Sequence, residues 1–185
     1  MITVVDVETS WQVTDTGGYD PSPYHPDNIL VSVGINDEYY FTNHSERIDD
    51  GCYHNIQSIL DKTTLLVGHN IKFDLMWLIE AGFKYTGKVY DTMLGEYILN
   101  RGIRKSLTLE MSCRRRRIGS KDNRIKEFTD RGIPFQNIPA NVVEEYGKMD
   151  VQITRDLFNS QMADFRMPKN KHLLMTAKMM NEFLI

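Results

Sequence analysis

Five residues along this chain have the types and spacing for chemistry: Asp6 with Glu8, then Asp74, then Tyr146 with Asp150. Asp6 and Glu8 sit in the apolar run Ile2-Thr3-Val4-Val5-Asp6-Val7-Glu8-Thr9. That run reads as a strand, and residues two apart on a strand share a face. Tyr146 and Asp150 are four apart in Val142-Val143-Glu144-Glu145-Tyr146-Gly147-Lys148-Met149-Asp150-Val151, which reads as a helix, so they too share a face. Two such pairs and a further Asp can converge into an oxygen-rich pocket, which hard divalent cations such as Mg²⁺ and Mn²⁺ prefer. Two such ions about 4 Å apart support in-line displacement at phosphorus by activating a water and steadying the leaving oxygen. A tyrosine hydroxyl beside the last Asp would orient that water, because a group with a pKa of about 10 is a poor base.

Each piece has a plainer reading when taken alone. An Asp and a Glu at a strand end are usually solvated, Asp74 could be a first-turn acid favoured by the helix dipole, and Tyr146 could be a half-buried core tyrosine. Asp6, however, lies between Val5 and Val7, where an unpaired charge is costly. The order and local contexts together favour a single site.

The surrounding pattern supplies the elements that must hold these residues. After the first strand, residues 11–28 form a long connection without periodicity, rich in Gly, Pro, Asp and Tyr. Residues 29–35 and 38–42 flank the turn signal Asn36-Asp37 and read as a hairpin. A helix over 54–60 and a buried strand over 64–68 follow. The apolar residues 71, 75, 78 and 79 then have helical spacing, with Asn70 as N-cap and Gly82 as stop, which places Asp74 one turn into the helix. Val89-Tyr90 reads as a short strand, and Asp91 as the N-cap of a helix over 92–99. A helix opening at Ser106 ends in Arg114-Arg115-Arg116-Arg117, and a charged, helical stretch covers 122–131. Pro139 suits the first position of a long helix that runs to about residue 165. Pro168 interrupts it before a last amphipathic stretch over 173–184. The order of strands and helices predicts an α/β sandwich, with a mixed central sheet carrying an antiparallel hairpin and flanked by helices.

At 185 residues, with 41% hydrophobic and 25% charged side chains, the composition is that of an ordinary globular domain. No apolar stretch approaches a membrane span, and the N-terminus has no basic-then-apolar signal pattern. Two cysteines without metal-like spacing fit a reducing, cytoplasmic setting. The net charge is −3, yet residues 101–131 carry eleven Lys and Arg against four Asp and Glu. A basic segment on an otherwise acidic chain is a candidate phosphate contact, against the plainer reading of a solvated loop.

The three acidic segments resemble the Exo motifs of the 3′–5′ exonuclease superfamily with four acids and a tyrosine, above all the proofreading domain of family A DNA polymerases. Val5-Asp6-Val7-Glu8-Thr9 resembles the first motif and Asn70-Ile71-Lys72-Phe73-Asp74 the second. Tyr146-Gly147-Lys148-Met149-Asp150 resembles the third in its tyrosine form. Asp91-Thr92-Met93-Leu94 is similar to the helix start between the second and third motifs, with Asp91 structural. The resemblance covers roughly residues 1–160 and implies an RNase H-like fold. It implies two Mg²⁺ or Mn²⁺ ions held by Asp6, Glu8, Asp74 and Asp150, with release of nucleoside 5′-monophosphates from the 3′ end of single-stranded DNA. Thr9, His69 and Asn70 are then the expected substrate-side residues, and Trp11 or Tyr24 a candidate for stacking on a base. The domain would span 1–167. Residues 168–185 resemble the connection towards a polymerase domain in cis, as in a fragment of a phage-like or bacterial polymerase acting as a monomer. Two other readings compete: an exoribonuclease of the RNase D kind, and an inactive nucleic-acid-binding or packing module on the same fold.

Overall fold

The computed structural model describes residues 1–119 and 124–182. A five-stranded sheet of order β5-β4-β1-β6-β7 forms its centre, with β1 (Ile2–Thr9) in the middle position. On one side β1 runs antiparallel to β4 (Leu30–Ile35), which pairs in turn with β5 (Glu38–Phe41). On the other it runs parallel to β6 (Leu65–Gly68), and β6 to β7 (Lys88–Asp91). This is the mixed sheet with an antiparallel hairpin that the strand pattern predicts.

The alternation of β1 divides the core. Val5 and Val7 point towards α1 (Cys52–Asp61) and α2 (Ile71–Glu80), packing with Ile56, Leu60, Leu75 and Leu78. Val4 points to the opposite face and packs with Val151 and Phe158 of α6 (Ala140–Arg166). By the same alternation Asp6 and Glu8 project towards α6. Two glycines allow α6 to lie this close. A Cβ on Gly34, the ladder partner of Asp6, would meet Val151 Cγ2 at 2.8 Å, and a Cβ on Gly147 would land on the Tyr39 ring.

The remaining helices buttress that layer. α3 (Thr92–Leu99) and α7 (Lys171–Glu182) pack with α6 and β7, and α4 (Leu109–Arg116) packs on α6 through Cys113, Ile153 and Leu157. Asn181 of α7 accepts the Asp91 N–H at 2.6 Å, so α7 is bonded into the sheet end. α5 (Arg124–Thr129) and a 3-10 turn (Phe135–Asn137) close the β5 side. Pro139 is the N-cap of α6 rather than its first helical residue. The expected helix ends at 122–123 and 183–184 lie outside the described residues.

The 11–28 connection is not structureless. It folds into a small hairpin of β2 (Gln12–Val13) and β3 (Tyr19–Asp20) around Thr14-Asp15-Thr16-Gly17-Gly18. Asn28 donates to the carbonyls of Asp20 and Ser22 at 2.9 Å each, and Trp77 Nε1 donates to Pro21 O at 3.1 Å. These bonds satisfy backbone groups that no ladder reaches. No helix among the described residues is long and apolar enough to cross a membrane.

Candidate active site

The parallel strands β1, β6 and β7 bring their C-terminal ends to one edge of the sheet, the usual place for a ligand crevice in α/β folds. Asp6 and Glu8 arrive there on β1, His69 and Asn70 follow β6, Asp91 ends β7, and Met93 lies just beyond it. Asp6, Asp150, His69, Asn70 and Met93 line a common cavity of about 540 Å³, closed on one side by Leu107, Thr108 and Leu109 at the start of α4.

Asp74 reaches this region because β6 stops short. The β1–β6 ladder ends at Val4 and Val67, after which the chain turns into α2. Asp74 Oδ1 accepts the Val7 N–H at 3.0 Å, the ladder position that β6 has given up. Burial pushes the Asp74 carboxyl well above its ordinary range, and the Asp6 charge pushes it further. The strand-to-helix turn itself needs Asn70 in the left-handed region, φ 61° and ψ 42°, which Asn tolerates better than most residues. Asn70 therefore holds the N-cap position without capping through its side chain. Its N–H donates to Asp91 Oδ1 at 2.9 Å, and the Met93 N–H donates to the same oxygen at 2.8 Å. Asp91 thus ties the starts of α2 and α3 together, the structural role expected of it.

From α6, Tyr146 and Asp150 face β1, and the Tyr146 hydroxyl hydrogen-bonds Asp150. Burial and then the charges of Glu8, Asp150 and Asp6 push the phenol far above its ordinary value, so it stays a neutral hydroxyl. Those shared influences place all five residues in one electrostatic neighbourhood. Beneath them Tyr39, which the sequence reading missed, is buried against Gly147 and bonds Ser32 Oγ at 2.7 Å. Burial and the nearby Glu8 raise its pKa in turn. Its signal was the inward position of the alternating run Glu38-Tyr39-Tyr40-Phe41.

The expected substrate-side residues are distributed unevenly. Asn70 is exposed on the cavity wall. His69 also lines it, while both ring nitrogens meet protein atoms: Nδ1 the Thr92 hydroxyl at 2.9 Å and Nε2 the Leu107 carbonyl at 2.8 Å. Thr9 is buried at the irregularity where β1 leaves β4 and does not line the cavity. Trp11 packs edge-on against Tyr19 and Phe135, at centroid distances of 5.6 and 5.9 Å, whereas Tyr24 is exposed.

The donor set fits a hard divalent cation in kind. Its carboxylates are acceptor-only when ionised, and their mutual repulsion, visible at Asp74, is what a cation would relieve. Among the described residues no three His, Cys, Asp or Glu side chains form a group that could hold an ion as they stand.

The model of a 3′–5′ exonuclease family, the one typified by family A DNA polymerases, matches residues 14–163. The chain belongs to that family. The matched span takes in Asp74, Tyr146 and Asp150 and begins after Asp6 and Glu8. Solved structures share the fold of this exonuclease-family chain. Brucella melitensis NrnC with bound Mg²⁺ aligns with a TM-score of 0.68 at 15% identity, covering 99% of this chain and 81% of that one. The catalytic core of RRP6 from Trypanosoma brucei aligns at 0.64 and 13%, covering 99% and 45%. The family B DNA polymerase of Pyrobaculum calidifontis aligns at 0.58 and 15%, covering 87% and 24%. No curated protein sequence matches this exonuclease-family chain. The fold is therefore the RNase H-like exonuclease fold.

Proposed function

We propose that this exonuclease removes nucleoside 5′-monophosphates from the 3′ end of single-stranded DNA, as a proofreading activity for a DNA polymerase. The observation that supports the reading is that Asp6 from β1 and Asp150 from α6 line one cavity at the sheet edge, with Glu8 and Tyr146 close to both and Asp74 of α2 close to Asp6. Asp6, Glu8, Asp74 and Asp150 would hold two Mg²⁺ or Mn²⁺ ions. Bound there, the ions supply water activation and stabilisation of the leaving 3′-oxygen. The chain's own residues do the positioning. Tyr146, kept neutral, orients the attacking water by hydrogen bonding and does not act as a base. Asn70 offers its side-chain amide to the terminal nucleotide. His69 holds the Leu107 carbonyl and so fixes the wall that faces Asp150. The N-terminal end of α4, at Thr108 and Leu109, favours an anion in the same cavity.

Incubation with 5′-labelled single-stranded DNA and Mg²⁺ or Mn²⁺ is expected to give a ladder of shortened products, abolished by Asp6→Ala. An intact substrate with both metals, or full activity in Asp6→Ala, would remove the proposal. Matched DNA and RNA oligomers read the sugar preference, and faster hydrolysis of RNA would replace DNA as the substrate.

A further inference from the structure

A second cavity, of about 510 Å³, lies between the C-terminal ends of α3 and α4 and the residues just after α6. Arg101, Lys105, Arg115, Arg116 and Lys169 line it, against the carboxylates of Glu96 and Asp164. Both carboxylates are already engaged. Arg116 bonds Glu96 and Asp164 at 2.7 Å each, and Arg115 reaches the other oxygen of Glu96 at 3.3 Å. Half of the arginine run is thus spent inside the fold. Arg101, Lys105 and Lys169 are exposed and enter no ion pair among the described residues. An uncompensated group of cations around a concave surface attracts phosphate by counterion release.

The basic cavity is joined to the carboxylate cavity by one short piece of chain. Arg115 Nη1 donates to the Ser106 carbonyl at 2.6 Å, and His69 Nε2 donates to the very next carbonyl, that of Leu107, at 2.8 Å. Residues 101–106 are exposed, and Leu107 to Leu109 line the carboxylate cavity. Six residues span at most about 20 Å, so both cavities lie within reach of a strand a few nucleotides long.

We infer that the basic cavity of Arg101, Lys105 and Lys169 grips internal phosphodiesters of the strand whose 3′ end enters the carboxylate site. This rests on the exonuclease reading for the identity of the strand, and it adds a length-sensing subsite to that reading. A dinucleotide reaches the carboxylates alone, whereas a longer strand also engages the three cations.

The test is equilibrium binding of 5′-labelled single-stranded DNA to the metal-free protein, read by fluorescence anisotropy across a salt titration. The variant is Arg101→Gln with Lys105→Gln and Lys169→Gln. For a decanucleotide the slope of log affinity against log salt should fall by about 2, since each phosphate contact on a single strand contributes about 0.7. Decanucleotide binding should weaken towards that of the dinucleotide. The charge-keeping exchange Arg101→Lys with Lys105→Arg and Lys169→Arg should restore the slope. An unchanged slope in the Gln variant overturns the inference. A parallel loss of dinucleotide affinity also overturns it, by placing the three cations at the 3′ terminus. Inorganic phosphate that displaces the decanucleotide from the wild-type protein but not from the Gln variant would assign the cavity to a free anion instead. The assay needs no turnover, so it reads the strand path whether or not the hydrolysis assay succeeds.

Discussion

Tyr146 and Asp74 carry the sharpest consequences of single atoms. The phenol is held neutral by burial and by three neighbouring carboxylates, so Tyr146→Phe should fold normally and lose on the order of 10²-fold in turnover through a misoriented water. Asp150→Ala should lose more. Single-turnover rates on a short oligonucleotide compare the two, and an unchanged rate in Tyr146→Phe would remove the tyrosine from the mechanism. Asp74 is a carboxylate kept in a buried place that disfavours its charge. Asp74→Asn keeps an oxygen for the Val7 N–H while dropping the charge, so the metal-free protein should melt higher, by about 2–4 °C for each kcal/mol gained, as hydrolysis is lost. Calorimetry without metal checks the direction. Spacing pairs Tyr146 with Asp150 in the sequence, whereas Asp74 stands alone there and only the helical spacing after Asn70 marks its position. Motif position marks Thr9 as substrate-side, while its burial and the irregularity beside it are features of the pairing with β4 that sequence does not show.

Elements set the distances between those residues, and here two close contacts matter. Gly147 lets α6 lie on the Tyr39 ring. Gly147→Ala should therefore cost about 1–3 kcal/mol, and Tyr39→Leu should recover much of that cost in the double variant, as denaturant midpoints would report. The other contact is Glu96 with its arginines. Burial opposes its charge, but hydrogen bonds from Arg116, Gln161 and Arg115 prevail and hold its pKa below the usual 4.5. A carboxyl depressed in the fold adds stability that is present above its unfolded pKa and lost as pH falls through the folded value. Glu96→Gln should thus cost about 3 kcal/mol at neutral pH and flatten the acid limb of the stability curve. Melting temperatures between neutral and acid pH measure both effects. Apolar spacing marks α2 in the sequence, Asp91 as N-cap marks the start of α3, and Pro139 that of α6. The β2–β3 hairpin was missed because two-residue strands carry no period, and part of its order comes from Trp77, which is distant in sequence.

At the scale of the whole molecule, the sheet order brings chemistry from both ends of the chain to one edge. Strand and helix alternation made the mixed sheet legible. Which loop would face the carboxylates was not, because the bonds that seat the basic segment, from His69 to the Leu107 carbonyl and from Arg115 to the Ser106 carbonyl, are made to backbone groups and leave no pattern in side-chain type or spacing. Rigidity is divided accordingly. β1 is paired on both sides, so amides such as those of Val5 and Val7 should exchange with solvent near the global unfolding limit, while residues 101–106 exchange first. Hydrogen-exchange mass spectrometry would resolve the two classes. One further consequence lies in Asp74 completing the β1 ladder. On the proposed function the same side chain would be both a metal-holding acid and a piece of the sheet, so only a substitution that keeps a side-chain oxygen can discard the first role and spare the second. A lineage that abandoned the chemistry would find few viable exits at this position. Asn leaves the backbone bond in place, whereas Ala would leave the buried Val7 N–H without its acceptor. Retired descendants of such a domain should therefore carry Asn at this position far more often than Ala.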